Sequence, residues 1–223
     1  MSEVDKHTTL VGDPMNRKSL FAGLWLLFAV IQLHNTAWAS GWRKVAWVDD
    51  GDTVVLSDGK AVRYIGIDAP EVAHKDRPAE RFGPEARVFN GKLVFQKKVH
   101  LELDRETHDQ YGRLLAYVFL ENGRFVNAEL IKGGYAHCLF LRPNTKYEKL
   151  LLGLQRGAME KRAGLWKGFV DQKGPYVGNR RSMRFHRADC PFGGNISPGN
   201  RILLKTRYDA FWQGFSPCKG CNP

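Results

Sequence analysis

The stretch Val45 to Leu56, VAWVDDGDTVVL, sets Asp49, Asp50 and Asp52 around Gly51 between two runs of strand-forming residues. Asp-Gly between apolar runs is an ordinary hairpin turn, and a turn alone would account for the aspartates. Carboxylates this close repel one another, so a bound cation is the sharper explanation. Two later segments carry groups that could complete such a site. RYIGIDAPE supplies Arg63, Asp68 and Glu71, and DQYGR supplies Asp109, Tyr111 and Arg113. Asp52 and Asp68 could share a hard divalent cation, with water and backbone oxygens filling its shell. Arg63 and Arg113 could clamp a phosphate, because a planar guanidinium matches two phosphate oxygens and stays charged. Glu71 could orient or deprotonate a water. A metal, charge stabilisers and a base are the parts that phosphodiester hydrolysis requires. Taken singly, each residue also has a plain reading as a turn, a loop cap, a solvated charge or a surface ion pair.

A second constellation lies near the C-terminus. FHRADCP and SPCKGCNP provide His186, Cys190, Cys218 and Cys221 in the order H-x3-C, then C-x2-C. Four such side chains can close a tetrahedral zinc site. The competing reading is a Cys218–Cys221 disulfide with His186 solvated. Cys138 stands apart and reads as a buried apolar thiol.

The elements that must position these groups are legible in outline. RKVAWV, TVVLS and KAVRYIGI read as three strands joined by turns at Asp50-Gly51 and Asp58-Gly59. If the second and third pair, the start of one approaches the end of the other, and Asp52 meets Asp68. Phe82, Ala86, Phe89 and Leu93 recur at helical spacing. KKVHLELD and RLLAYVFL read as a fourth and a fifth strand, and RFVNAELIKGG as a short helix stopped by glycine. Thr145 to Glu148 fits a capping box opening a helix through Tyr147, Leu150, Leu151, Leu154 and Ala158. Five strands with helices at their edge, an α+β arrangement, suit a small closed barrel of the OB type. KGFVDQKGPYVGN has glycines and a proline without periodicity, which places a boundary near Gly174.

The chain has 223 residues and a net charge of +11. That excess favours an anionic partner such as nucleic acid or an anionic membrane surface, although it also serves solubility. Leu20 to Leu33 is an apolar run too short for a comfortable membrane span, preceded by Arg17 and Lys18 and followed by AWAS. This is the pattern of a secretory leader over residues 1–39, cleaved before Ser40, with Met15 as an alternative start. An uncleaved anchor is the alternative. Lys6, Arg17 and Lys18 offset Glu3, Asp5 and Asp13, so removal of the leader leaves the charge unchanged.

Residues 43–166 resemble the staphylococcal nuclease (thermonuclease) family, through DDGDTVVL, VRYIGIDAPE, FGPEA, DQYGRLLAYVFL, VNAELIKGGYA and the closing GLW. The resemblance implies a five-stranded OB-fold barrel with three helices and calcium-dependent cleavage of DNA and RNA. It implies calcium on Asp52, Asp68 and the carbonyl of Ala69, Glu71 as general base, and Arg63 and Arg113 on phosphate. Gln110 stands where that family leads one to expect lysine, and Leu139 and Leu141 where it leads one to expect aromatic residues. The last fifty or so residues resemble the metal-binding domain of the Ada DNA-repair protein, with His186 in place of its first cysteine. That implies a structural zinc module over residues 174–223. Arg180, Arg181, Arg184, Arg187, Arg201 and Lys205 make it basic, which reads either as a surface for docking on DNA or as a solvated cationic face. Methyl transfer to the tail is disfavoured by His186.

The expectation is therefore an exported, metal-dependent nuclease, monomeric and without stable membrane association once its leader is removed. It would act in the periplasm or outside the cell on DNA, RNA or both. Arg63, Arg113 and Glu71 are expected to be removable with loss of activity and not of fold. The alternative is a non-catalytic OB protein that binds nucleic acid, which would need none of Asp52, Asp68 and Glu71. Mass spectrometry of the exported protein should find Ser40 at its N-terminus; an intact Met1 or Met15 would establish the anchor instead.

Overall fold

The computed structural model describes residues 41–75 and 77–223, and Gly41–Pro223 form one compact unit. The leader expected over residues 1–39 lies outside the described residues. Among the described residues, no helix is long and apolar enough to cross a membrane.

Strands β1 (Arg43–Val48), β2 (Thr53–Leu56), β3 (Ala61–Tyr64), β5 (Lys98–Glu102) and β6 (Leu114–Leu120) close into a barrel in the order β1-β2-β3-β6-β5. Their inward positions are small and branched. Val45, Val54, Val62, Val99, Ala116 and Val118 are fully buried, and each valine contributes about 1.5–3 kcal/mol by leaving water. Helices α1 (Gly83–Val94), α2 (Val126–Lys132) and α3 (Glu148–Glu160) accompany the barrel. This is the five-stranded OB-type fold with three helices that the sequence led us to expect.

The third strand differs from the sequence reading in one respect. It was expected to run unbroken to Ile67. It stops at Tyr64, turns at Gly66 with φ of +82°, and resumes as β4 (Gly66–Asp68). There it pairs with β7 (His137–Leu139) outside the barrel. Glycine is required at that bend twice over. Its φ is positive, and a Cβ would lie 2.7 Å from Cδ1 of Leu151 on α3. The capping box expected at Thr145 does not form either. Helix α3 begins at Glu148, and no side chain caps it. The segment before it is drawn toward β5 instead, with Lys146 Nζ 2.6 Å from Glu102 Oε1 and the Tyr147 hydroxyl donating to Glu102 Oε2 at 3.0 Å.

The segment read as an aperiodic boundary contains a strand. Strand β8 (Lys173–Asn179) lies between β10 (Arg201–Thr206) and β9 (Arg184–Arg187), with β11 (Ser216–Pro217) parallel to β9. Its glycines fit close packing rather than flexibility. A Cβ on Gly178 would stand 2.8 Å from Ile202 and 2.9 Å from Phe215. Helices α4 (Pro191–Gly194) and α5 (Arg207–Trp212) complete this C-terminal part. Its aromatic core of Tyr176, Phe185, Phe211 and Phe215 continues into Trp166, Ala158 and Met159 of the barrel side.

One buried polar group ties the two parts. Gln155 of α3 is fully buried. Its Oε1 accepts from the Cys138 amide and its Nε2 donates to the Phe211 carbonyl, both at 2.6 Å. Gln155→Ala would leave the buried Cys138 amide without its acceptor, at a cost of about 1–3 kcal/mol, and remove the link to the Phe211 carbonyl, which keeps the Gly214 amide at 2.9 Å. Urea unfolding should therefore show a lower midpoint with one cooperative transition; an unchanged midpoint would mean that Gln155 does not join the parts.

Candidate active site

The acids gather at one end of the barrel. Asp50 builds the turn: its Oδ1 accepts from the Asp52 amide at 2.9 Å, and its carbonyl accepts from Asn90 Nδ2 of α1 at 3.1 Å. Asn90 is held in turn by the Tyr64 hydroxyl, which donates to its Oδ1 at 3.1 Å. Asp49 is exposed. A Cβ on Gly51 would stand 2.5 Å from the Cβ of Ala69 and 2.8 Å from that of Ala86. The turn, the Ala69 segment and α1 can thus close together only around glycine. Asp52 then faces Asp68, which the bend at Gly66 brings in from β4.

Arg63 of β3 spans both. Its Nη1 is 2.5 Å from Asp52 Oδ2, and its Nη2 is 2.7 Å from Asp68 Oδ1. Nη1 also donates to the Ile67 carbonyl at 3.2 Å, and the Ala69 amide donates to Asp52 Oδ2 at 2.6 Å. Burial pushes the Asp52 carboxyl well above the ordinary carboxylate range; Arg63 draws it back, while Asp50 and Asp68 add to the rise. Burial also opposes charge on Asp68, but Arg63, His137, Lys219 and Arg184 outweigh it and hold that carboxyl below its usual range.

Glu71 and Arg113 line the same cleft. Glu71 is pinned by its backbone: its carbonyl accepts from the Glu80 amide at 2.9 Å, and its amide donates to Glu80 Oε2 at 3.2 Å. Its side chain is half-exposed and meets Lys219 Nζ at 2.6 Å. Arg113 donates from Nε to Asp109 Oδ2 at 2.8 Å and lies over the Tyr111 ring. Asp109 Oδ1 accepts from the amides of Tyr111 and Arg113, each at 3.0 Å. Burial opposes the Asp109 charge, yet these bonds hold its carboxyl below the usual range.

The second constellation also comes together. His186 on β9, Cys190 before α4, and Cys218 and Cys221 after β11 place their ligand atoms within 4.8 Å of one another. All the cysteines are free thiols. Burial opposes a thiolate at Cys190, but the Gly193 amide, the Cys221 thiol and the Phe192 amide overcome this and lower its pKa. Burial raises Cys221 to about 11. Three sulfurs and an imidazole in one small cluster form a donor set that could hold a metal ion.

Residues 61–168 match the family model described as staphylococcal nuclease homologue. A thermonuclease of Staphylococcus hyicus is 40% identical over 126 residues, covering 55% of this chain and 74% of the relative. A thermonuclease of Staphylococcus intermedius is 41% identical over 123 residues, covering 54% and 73%. The chain belongs to the staphylococcal nuclease family. An endonuclease of Bacillus subtilis, YncB, is 36% identical over 132 residues, covering 56% of this nuclease-family chain and 62% of the relative. The family match ends before His186, so the Cys/His cluster lies beyond it.

The structure brings further residues to the acids of this cleft that the sequence reading did not place there. His137 stands opposite Asp68 in the β4–β7 register and is partly buried; its desolvation lowers its pKa against the pull of Asp68. Arg184 reaches within 3.8 Å of Asp68 Oδ2 and is steadied by donating to Ser216 Oγ and the Pro217 carbonyl. Lys219 enters from the turn between Cys218 and Cys221. Burial opposes its charge, but Asp68 and Glu71 hold its pKa above the ordinary lysine value. The sequence signal for Arg184 and Lys219 was their nearness to the Cys/His motifs; His137 carried none.

The expectation that Arg63 can be removed without loss of fold needs correction. Arg63→Ala would leave two buried carboxylates without their shared partner, a loss of about 3–5 kcal/mol. Arg113→Ala breaks a partly exposed pair and should cost at most about 1 kcal/mol. Chemical denaturation should separate the two variants, and equal losses would contradict the buried pairing.

Proposed function

We propose that this protein is an exported, calcium-dependent nuclease that hydrolyses phosphodiester bonds in DNA, RNA or both, with residues 40–173 carrying the reaction and residues 174–223 forming a zinc module. The observation that carries the reading is the meeting of Asp52 and Asp68 on Arg63, with Glu71 and Arg113 in the same cleft. The family's thermonuclease and endonuclease members support it.

Asp52, Asp68 and the carbonyl of Ala69 offer hard oxygen donors at one end of the barrel. Bound there, calcium supplies Lewis-acid polarisation of a phosphate oxygen. The remaining work falls to side chains. Arg63 and Arg113 offset the negative charge that builds on the phosphate during attack. Glu71, half-exposed at the edge of the cleft, takes the proton of the attacking water on a carboxylate oxygen. The proposed contacts go to phosphate and not to base edges, which fits activity on both nucleic acids.

Three thiols and an imidazole suit zinc better than calcium. In that role His186, Cys190, Cys218 and Cys221 would hold β9, α4 and the C-terminal turn together, and the basic module would aid docking of nucleic acid.

Purified protein should clear DNA and RNA plates with calcium and fail with chelator. Glu71→Gln should lose about 10²–10⁴ in rate while remaining folded. Elemental analysis of the same material should give one zinc per chain, lost in Cys218→Ser. Binding without cleavage in calcium would return the protein to the non-catalytic OB reading, and zinc-free protein would reject the second site.

A further inference from the structure

The Cys/His module does not stand clear of the nuclease cleft. Lys219, between two of the four clustered ligands, puts Nζ 2.6 Å from Glu71 Oε1 and 3.9 Å from Asp68 Oδ1. We propose that Lys219 is a substrate-contacting residue of the nuclease site, moving from Glu71 to a phosphate oxygen when nucleic acid enters, so that barrel and module build one composite site. This rests on the nuclease reading above, in which Glu71 faces the attacking water and Asp68 faces the metal.

Geometry makes the first part of the case. A phosphate placed between a cation on Asp68 and a water on Glu71 must lie within a few ångströms of both, and Nζ already occupies that interval. The second part is anchoring. The Cys218 amide donates to the Phe185 carbonyl at 2.9 Å, and the Asn222 amide donates to the Cys218 carbonyl at 2.9 Å. A Cβ on Gly220 would lie 3.1 Å from the Phe192 ring, so the turn carrying Lys219 is packed against α4. Arg184, on the strand that carries His186, enters the same cleft and braces β11. The third part is the chemistry of lysine. Its ammonium is a compact charge on a flexible stem, and the side chain is about half exposed (53%). It can trade one anionic partner for another without being desolvated afresh.

An ion pair with Glu71 could instead block the site, and the two roles move activity in opposite directions. Lys219→Ala should lower kcat/KM on single-stranded DNA by roughly tenfold, less than the 10²–10³ of a buried oxyanion donor because Nζ is half exposed to water. Lys219→Arg should keep most of the activity. The readout free of turnover is binding of a short single-stranded DNA in calcium by Glu71→Gln and by Glu71→Gln with Lys219→Ala. Loss of the lysine should weaken binding and reduce the slope of log K against log salt by about 0.7, the value for one phosphate contact. Unchanged affinity and turnover would make Lys219 a bystander, and tighter binding with faster cleavage would make it a plug; either overturns the proposal. If the parent protein cleaves nothing, the nuclease reading fails by itself, and the oligonucleotide comparison still decides whether Lys219 contacts phosphate.

Discussion

Two buried carboxylates cannot share one corner of a protein without a cation between them, and Arg63 is that cation. Its fork reaches Asp52 with one nitrogen and Asp68 with the other. Each of the three residues is delivered by a different part of the fold. Asp52 comes from the turn before β2, Arg63 from the middle of β3, and Asp68 from the end of β4. The pairing of β2 with β3 sets Thr53 opposite Arg63, which puts Asp52 within reach. The break at Gly66 and the β4–β7 ladder fix Asp68. A guanidinium permanently charged and nearly shut off from water keeps the acids together. The chain itself thus supplies the charge that holds these acids in place.

The barrel was legible because its signals are local. Alternating or continuous apolar runs bounded by Asp-Gly and Asn-Gly turns mark strands, and all five barrel strands lie where those runs predicted. The acids and arginines were legible as residues, and the β2–β3 pairing followed from strand order. What could not be read was long-range. The bend at Gly66 depends on Leu151, far along the chain, and the missing cap at Thr145 depends on Glu102. Gln155, a polar residue on an otherwise apolar helical face, gave no hint that both ends of its amide would be spoken for. The strand at Lys173–Asn179 was hidden because its glycines and proline look like linker when the neighbouring β9 and β10 are not in view. Arg184 and Lys219 were hidden for the same reason: their role in the cleft exists only once the C-terminal part is packed onto the barrel.

The two candidate metal sites differ in kind, and this keeps them from competing. One offers carboxylate oxygens beside a guanidinium; the other offers three sulfurs and an imidazole. A hard cation gains little from thiolates, and a soft donor cage does not form around Asp52 and Asp68. The sites are nevertheless joined through a short piece of chain. Arg184 lies two residues before His186, and Lys219 directly follows Cys218. Order in the sulfur cluster is thereby order in the side chains that face Asp68 and Glu71.

The aromatic core that runs from Phe211 and Phe215 into Trp166, Ala158 and Met159 bears on how such a chain could have been assembled in evolution. A segment appended as an independent bead could be gained or lost in one step. Here loss would strip an apolar face from α3 and leave the Gln155 amide facing water, so descendants lacking the tail would need that helix resurfaced with polar residues. The same stretch grafted onto a different barrel would arrive without the surface it was shaped against.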